Sequence, residues 1–304
     1  MTVPAWTVAV DGWIIAIAAL AAVACAVPGS FLVVRRESML ADAMSHGVLP
    51  GLAAAFLVTG TRSAPAMAAG AMLAAILLSL GWRSIVASCR VERGAALGIS
   101  YTVMFAAGVV LVVQAADRVD LDPSCVLFGS LELAPLDDVE LLGIRMPFPA
   151  LLLAAVAASN VLLASLLWPT LVAESFDRDF ARVTMPARWA APAAMSAMSA
   201  ATCVACFEAV GSILVVAMMV TPAVIARLFT SSMRGMVVRS AVAGMAAAAL
   251  GHVAATALPG VLGLHSAGIH DLSTAGSIAV TLGTILAVSI LVDRARRRPY
   301  PPSA

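Results

Sequence analysis

The chain has 304 residues, of which 62% are hydrophobic and 12% charged, with a mean hydropathy of +1.01. A soluble domain sits near half apolar and about a quarter charged, so this is a polytopic membrane protein with room for roughly eight to ten spans. A net charge of +1 leaves no basic domain for nucleic acid. All 18 basic residues are arginine, so no phosphate-binding loop ending in Gly-Lys-Ser/Thr can occur and any ATP-driven work must come from another chain.

Nine apolar runs can be drawn, at 12–34, 38–59, 64–81, 94–115, 148–168, 189–206, 209–228, 236–257 and 273–292. The expected fold is all-α, a single integral-membrane domain over 1–304 with eight or nine spans. The count depends on the sixth and seventh runs, which are separated by little more than Glu208. The N-terminus, MTVPAWTVAVDGW, lacks the positive region of a cleavable signal, so the first run is expected to be retained as a span. With the N-terminus outside and the C-terminus in the cytosol, 15 of the 18 arginines fall on inner segments, including the basic tail 293–304. That distribution is a strong positive-inside signal.

The stretch from Phe31 to Leu57, FLVVRRESMLADAMSHGVLPGLAAAFL, carries the most unusual chemistry. Asp42 and His46 stand four residues apart, one above the other on a helix face. Ionisable groups at membrane depth are costly and face a bundle interior or a watery path. Carboxylate oxygen and imidazole nitrogen together suit manganese, iron(II) or zinc. Two ligands underfill such an ion, so further ones would come from another helix or a second copy of the chain. The competing reading has Asp42 capping the helix or pairing with Arg35 or Arg36, and His46 bonding a backbone carbonyl. Pro50 and Gly51 are placed to kink or open the helix just beyond the pair. Gly47/Gly51 and Gly94/Gly98 are GxxxG pairs that permit close helix approach.

The loop 116–147 is acidic and reads as a solvated outer loop or as a docking surface for an external partner. Within it, LDPSCVLFGSLEL is apolar enough to re-enter the membrane edge. The segment 169–188, PTLVAESFDRDFARVTMPAR, is too polar to span. Phe176, Phe180 and Val183 make one apolar stripe on a short helix expected at about 174–188, with Glu174 and Asp177 early and Arg182 and Arg188 late. Its mixed charge favours docking on a partner over lying on membrane lipid.

Further on, Glu208 is either a turn residue or lines an access route. Cys203 and Cys206 form a CxxC inside an apolar helix and read as packing. His252, His265, His270 and Asp271 gather near the last outer loop, where histidines could capture metal or sense pH but are more often solvated.

RRESMLADAMSHGVLPGLAAAFL, ERGAALGISYTVMFAAGVVLV, LFGSLEL, SFDRDFARVT and FEAVGSILVVAMMVTPAVIARLFT resemble the metal-ion ABC transporter permeases, the membrane halves of bacterial manganese, zinc and iron importers. FEAVGSILVVA with SAGIHDLSTAG looks most like the manganese-type branch. The resemblance implies a permease without enzymatic activity of its own, and with no permanently bound cofactor. It implies two permease subunits (a second copy or a sister permease), cytosolic ATP-binding subunits and an external metal-binding protein. Asp42 and His46 would be the pathway ligands; Glu208, His265, His270 and Asp271 are candidate pathway residues on the reading of the residues alone. Phe176, Asp177, Asp179, Phe180 and Arg182 would touch the ATPase. Two departures stand out: Gly47 where the family often has alanine, and Met185 where glycine is common. The rival expectations are a secondary metal transporter or exporter working alone, and an intramembrane metallohydrolase, which the lack of HExxH disfavours.

Overall fold

Helices are the only secondary structure that satisfies every backbone group within a single apolar segment, and the computed structural model is built from them. It describes residues 8–60, 64–89, 91–116, 131–141, 144–185, 190–261 and 272–296. In chain order the helices are α1 (Val8–Val34), α2 (Met39–Gly47), α3 (Leu49–Thr59), α4 (Ala64–Cys89) and α5 (Arg93–Ala116), then α6 (Phe148–Leu166), α7 (Trp168–Phe176), α8 (Arg178–Thr184), α9 (Ala190–Val210), α10 (Ser212–Phe229), α11 (Met233–Val261) and α12 (Thr274–Arg296). Among the described residues, nine helical stretches are long and apolar enough to cross a membrane, with α2 and α3 together making the second. That is the higher of the two counts expected, eight or nine.

Between α5 and α6 lies an addition to the expected all-α fold. A short 3-10 turn (Ala134–Leu136) leads into an antiparallel hairpin, β1 (Asp138–Leu141) on β2 (Ile144–Pro147), with Val139 opposite Met146 and Glu140 opposite Arg145. Strands this short leave almost no periodic trace in a sequence. Most of LDPSCVLFGSLEL lies outside the described residues, but Leu131 is buried.

α1 runs through the middle, packed against α6, α9, α10 and α11. It can be central because it is small-residue-rich: a side chain on Gly29 would overlap the backbone carbonyl of Met219 in α10. Asn160 of α6, itself buried, donates through Nδ2 to the Ala24 carbonyl at 3.0 Å and to Thr202 Oγ1 at 2.7 Å, tying three helices together. α2 lies against α4, α5, α9 and α10, while α3 packs on α4 and α5. Gly51 and Gly70 meet so closely that a Cβ on either would overlap the other's carbonyl. The Gly94/Gly98 pair, in contrast, has nothing within 4 Å of an added Cβ. The outward faces of α4, α5 and α12 expose Leu73, Leu77, Leu80, Val103, Val113, Val280 and Leu291, as lipid- or subunit-facing surfaces do.

Three backbone breaks shape the bundle. Pro50 stands four residues after His46 and has no N–H to give to the His46 carbonyl, so the second span divides at Val48. Asp177 leaves the helical region (φ −144°, ψ 102°) and divides the helix expected at 174–188 into α7 and α8. Between the sixth and seventh spans, the helix continues through Glu208 to Val210 and turns at Gly211, whose φ of +82° suits glycine alone.

Gly51→Val is expected to cost about 1–3 kcal/mol through overpacking against α4, read as a lower unfolding temperature of the detergent-solubilised protein. Gly81→Ala, where an added Cβ has nothing within 4 Å, serves as the neutral control.

Candidate functional site

α2 is a helix of nine residues with one open edge. Leu40, Ala41, Ala43, Met44 and Ser45 are buried, fixing its rotation, and Met39, Asp42 and His46 occupy the remaining side. His46 Nε2 lies 3.7 Å from Asp42 Oδ1, with the Asp42 side chain 51% exposed and that of His46 26%. This is too long for a hydrogen bond. It is a span that one cation at about 2.1 Å from each ligand can bridge. The imidazole is flanked by the rings of Tyr101 and Phe105 on α5, each centroid 6.0 Å away. Its Nδ1 is buried and without a hydrogen-bond partner among the described residues. Neither arginine expected to compete for Asp42 pairs with it: Arg35 pairs with Glu37 and Glu174, and Arg36, in the turn after α1 with φ +58°, lines a cavity with Arg93 and Glu174.

No group of three or more His, Cys, Asp or Glu side chains able to hold a metal ion occurs among the described residues. Glu208 is thus not a third ligand to the pair. It is exposed in the last turn of α9, and the turn it was expected to make belongs to Gly211. His265, His270 and Asp271 lie outside the described residues. His252, expected as a solvated loop histidine, is instead buried within α11. Its Nε2 is 3.1 Å from Asp11 Oδ1 and its Nδ1 3.5 Å from Thr274 Oγ1. His252 falls inside the apolar run 236–257, which α11 carries on to Val261. Cys206 Sγ lies 3.9 Å from Cys25 Sγ, and Cys203 is buried beside the Ala41 carbonyl, so the CxxC is packed into the core.

At the other candidate surface, α7 and α8 meet at a corner. Asp177 caps α8, its Oδ1 accepting from the Phe180 N–H at 2.9 Å. Phe176, Phe180 and Val183 are all exposed, as an unpartnered apolar stripe should be. Asp179 lies in the first turn of α8, and the backbone of Arg182 continues the same helix. Beside this corner, a cavity of about 730 Å³ is lined by Arg35, Arg36, Arg93, Arg178 and Arg227 along with Glu174 and Phe176. Burial pushes the Glu174 carboxyl up, and the Arg35 guanidinium, donating to it at 2.8 Å, pulls it part of the way back. Sequence reasoning missed Glu37 and Arg178, which meet here; the signal available was only that Glu37 is an acid stranded between an arginine pair and an apolar helix.

With this geometry in hand, the comparisons are specific. The profile of the ABC 3 transport family matches residues 11–293. The chain belongs to the ABC 3 transport family. The manganese transport system membrane protein MntD of Bacillus subtilis is 34% identical over 287 residues, covering 94% of this chain and 92% of that protein. The zinc transport system membrane protein TroD of Treponema pallidum is 33% identical over 209 residues, covering 69% of this chain and 57% of its own length. Among solved structures, PsaBC from Streptococcus pneumoniae in complex with Fab shares the fold. It has a TM-score of 0.72 at 24% identity, covering 94% of this chain and 93% of that one. The sequence resemblance to metal-ion ABC permeases, and the fold it implied, are thereby established for this ABC 3 chain.

Removing the cap with Asp177→Ala is expected to cost about 1 kcal/mol locally. Hydrogen exchange should then speed up in residues 178–184 while 168–176 keeps its protection.

Proposed function

We propose that this chain is the permease subunit of an ATP-driven importer of divalent metal ions, with Mn²⁺ as the first candidate cargo and Zn²⁺ or Fe²⁺ as the other two. The observation that carries the reading is the Asp42–His46 pair. It is a carboxylate and an imidazole 3.7 Å apart, half-open to the outside of the chain, in a family of ABC transport permeases. Manganese heads the order because MntD, a manganese system protein, is 34% identical over 94% of the chain, whereas the zinc system proteins TroD and TroC are 33% identical over 69% and 30% over 88%.

Asp42 and His46 hold the ion in passing. Binding has to be strong enough to strip water and weak enough to release. One chain supplies two ligands, and the exposed edge of α2 leaves room for those of a second permease copy or a sister permease. The N-terminus lies outside and the C-terminus in the cytosol. The arginines support this orientation: Arg35, Arg93, Arg178 and Arg227 gather at one end of the bundle, while Asp11 and His252 meet at the other. On that orientation the α7–α8 corner faces a cytosolic ATP-binding subunit, with Phe176, Phe180 and Val183 as its contact stripe. An external metal-binding protein delivers the ion to the acidic side, and Glu208 lies toward the route it takes inward. The lack of any lysine in the chain keeps ATP hydrolysis on the partner.

Asp42→Ala and His46→Ala, with membrane expression verified, are expected to reduce uptake of radiolabelled Mn²⁺ to background. Uptake at the parent level would remove the assignment. Phe180→Asp is expected to leave ATP hydrolysis without transport in the reconstituted complex. Metal transport by the purified chain alone in liposomes, without an ATP-binding subunit, would replace this reading with a stand-alone transporter.

A further inference from the structure

Glu37 sits in the turn between α1 and α2 and is reached by arginines from three segments. Arg178 Nη2, from the first residue of α8, donates to its Oε1 at 2.6 Å. Arg93 Nη1, from the first residue of α5, lies 3.5 Å from the same oxygen. Arg35 Nε is 3.5 Å from Oε2, and its Nη2 donates in turn to Glu174 Oε1 on α7. The side chains of Arg35 and Glu37 are 4% and 9% exposed, so these pairs are little screened by water. Short charge-assisted contacts of this kind fix geometry. Breaking one leaves a poorly compensated charge behind.

The backbone makes this cluster the foot of the ion-bearing helix. Arg36 takes φ +58°, a costly conformation for a residue with a Cβ, and this reverses the chain out of α1. The Glu37 carbonyl then accepts from the Leu40 N–H at 2.9 Å and opens α2. Asp42 follows five residues on, and α2 stops at the Val48 break beneath Pro50. α2 is thus a rod about 13 Å long, held at its foot by Glu37 and interrupted just beyond His46. A displacement of the α7–α8 corner reaches that foot directly through Arg178 to Glu37, and less directly through Glu174 by way of Arg35.

We propose that Glu37 and Arg178 are positioning residues that tie the α7–α8 corner to the foot of α2, so that movement of the corner re-aims Asp42 and His46. This rests on the reading that the corner docks on the ATP-binding subunit, and it adds the route by which that docking reaches the ion. Neither residue contacts the ion; both act through the orientation of α2.

The test uses the complete complex in proteoliposomes and reads Mn²⁺ transported per ATP hydrolysed. Arg178→Gln, which leaves Glu37 its Arg35 and Arg93 partners, is expected to lower that ratio about fivefold or more, the scale of an ordinary coupling between sites. Arg178→Lys, which keeps one charged donor, is expected to recover part of it. Glu37→Gln is expected to lower the ratio similarly, and adding Arg178→Gln to it should produce no further loss, because contacting residues are not additive. An unchanged ratio in Arg178→Gln overturns the proposal, as do effects of the two substitutions that multiply. Should Glu37→Gln fail to assemble, Arg178→Gln against Arg178→Lys decides alone: equal ratios in those two overturn it. Asp42→Ala and Phe180→Asp run alongside. Transport surviving Asp42→Ala, or coupling surviving Phe180→Asp, sinks the functional reading itself; failure confined to the Arg178 and Glu37 variants sinks only this tie.

Discussion

An ionised carboxylate and an imidazole cannot be left facing hydrocarbon, and the geometry around α2 is arranged by that constraint. Buried Leu40, Ala41, Ala43 and Met44 pin one side of the helix into the bundle, which forces Asp42 and His46 to the other. There the imidazole rests against Tyr101 and Phe105, which also touch each other, while the carboxylate reaches outward. On the reading proposed above, the partial exposure of the pair leaves room for a neighbouring subunit to complete an ion site, and the exposed apolar faces of α4 and α5 are surfaces such a neighbour would cover.

Short helices recur where the chemistry is concentrated. α2, α7 and α8 are seven to nine residues each, in a bundle whose spanning stretches are at least twice as long. Each break has a chemical author in the sequence: a proline without an N–H at 50, an aspartate able to cap at 177, a glycine able to take positive φ at 211. Breaking a helix inside or beside a membrane exposes backbone groups, tolerable only where protein surrounds them. Around α2 that protein is α4, α5, α9 and α10. The same packing that protects the break also keeps the rod from wandering.

The two ends of the bundle differ in kind. One gathers arginines with Glu37 and Glu174 around the α7–α8 corner, with an open cavity beside it. The other joins Asp11 to His252 and, through Thr274, to Glu132 beside the hairpin. Both clusters draw on residues far apart in the chain, and both fasten helix ends rather than helix middles. The middles are held by small-residue contact, as at Gly29 and Gly51, and by the Asn160 hydrogen bonds.

Composition and apolar run length were enough to establish the membrane class and a count of eight or nine spans, because the hydrocarbon thickness dictates how long such runs must be. The Asp42–His46 pair was legible too, since four residues along a helix is a local distance that needs no tertiary information. The hairpin was invisible because four-residue strands carry too little period, and the division at Asp177 was missed because the apolar stripe of Phe176, Phe180 and Val183 runs across it. His252 was misplaced for a different reason: its partner Asp11 is 241 residues away. Glu37 with Arg178 is the same case at 141 residues. Which charges meet across such separations is decided only when the helices pack, so the Asp42–His46 spacing belongs to the local sequence and the contacts that hold α2 in place belong to the fold.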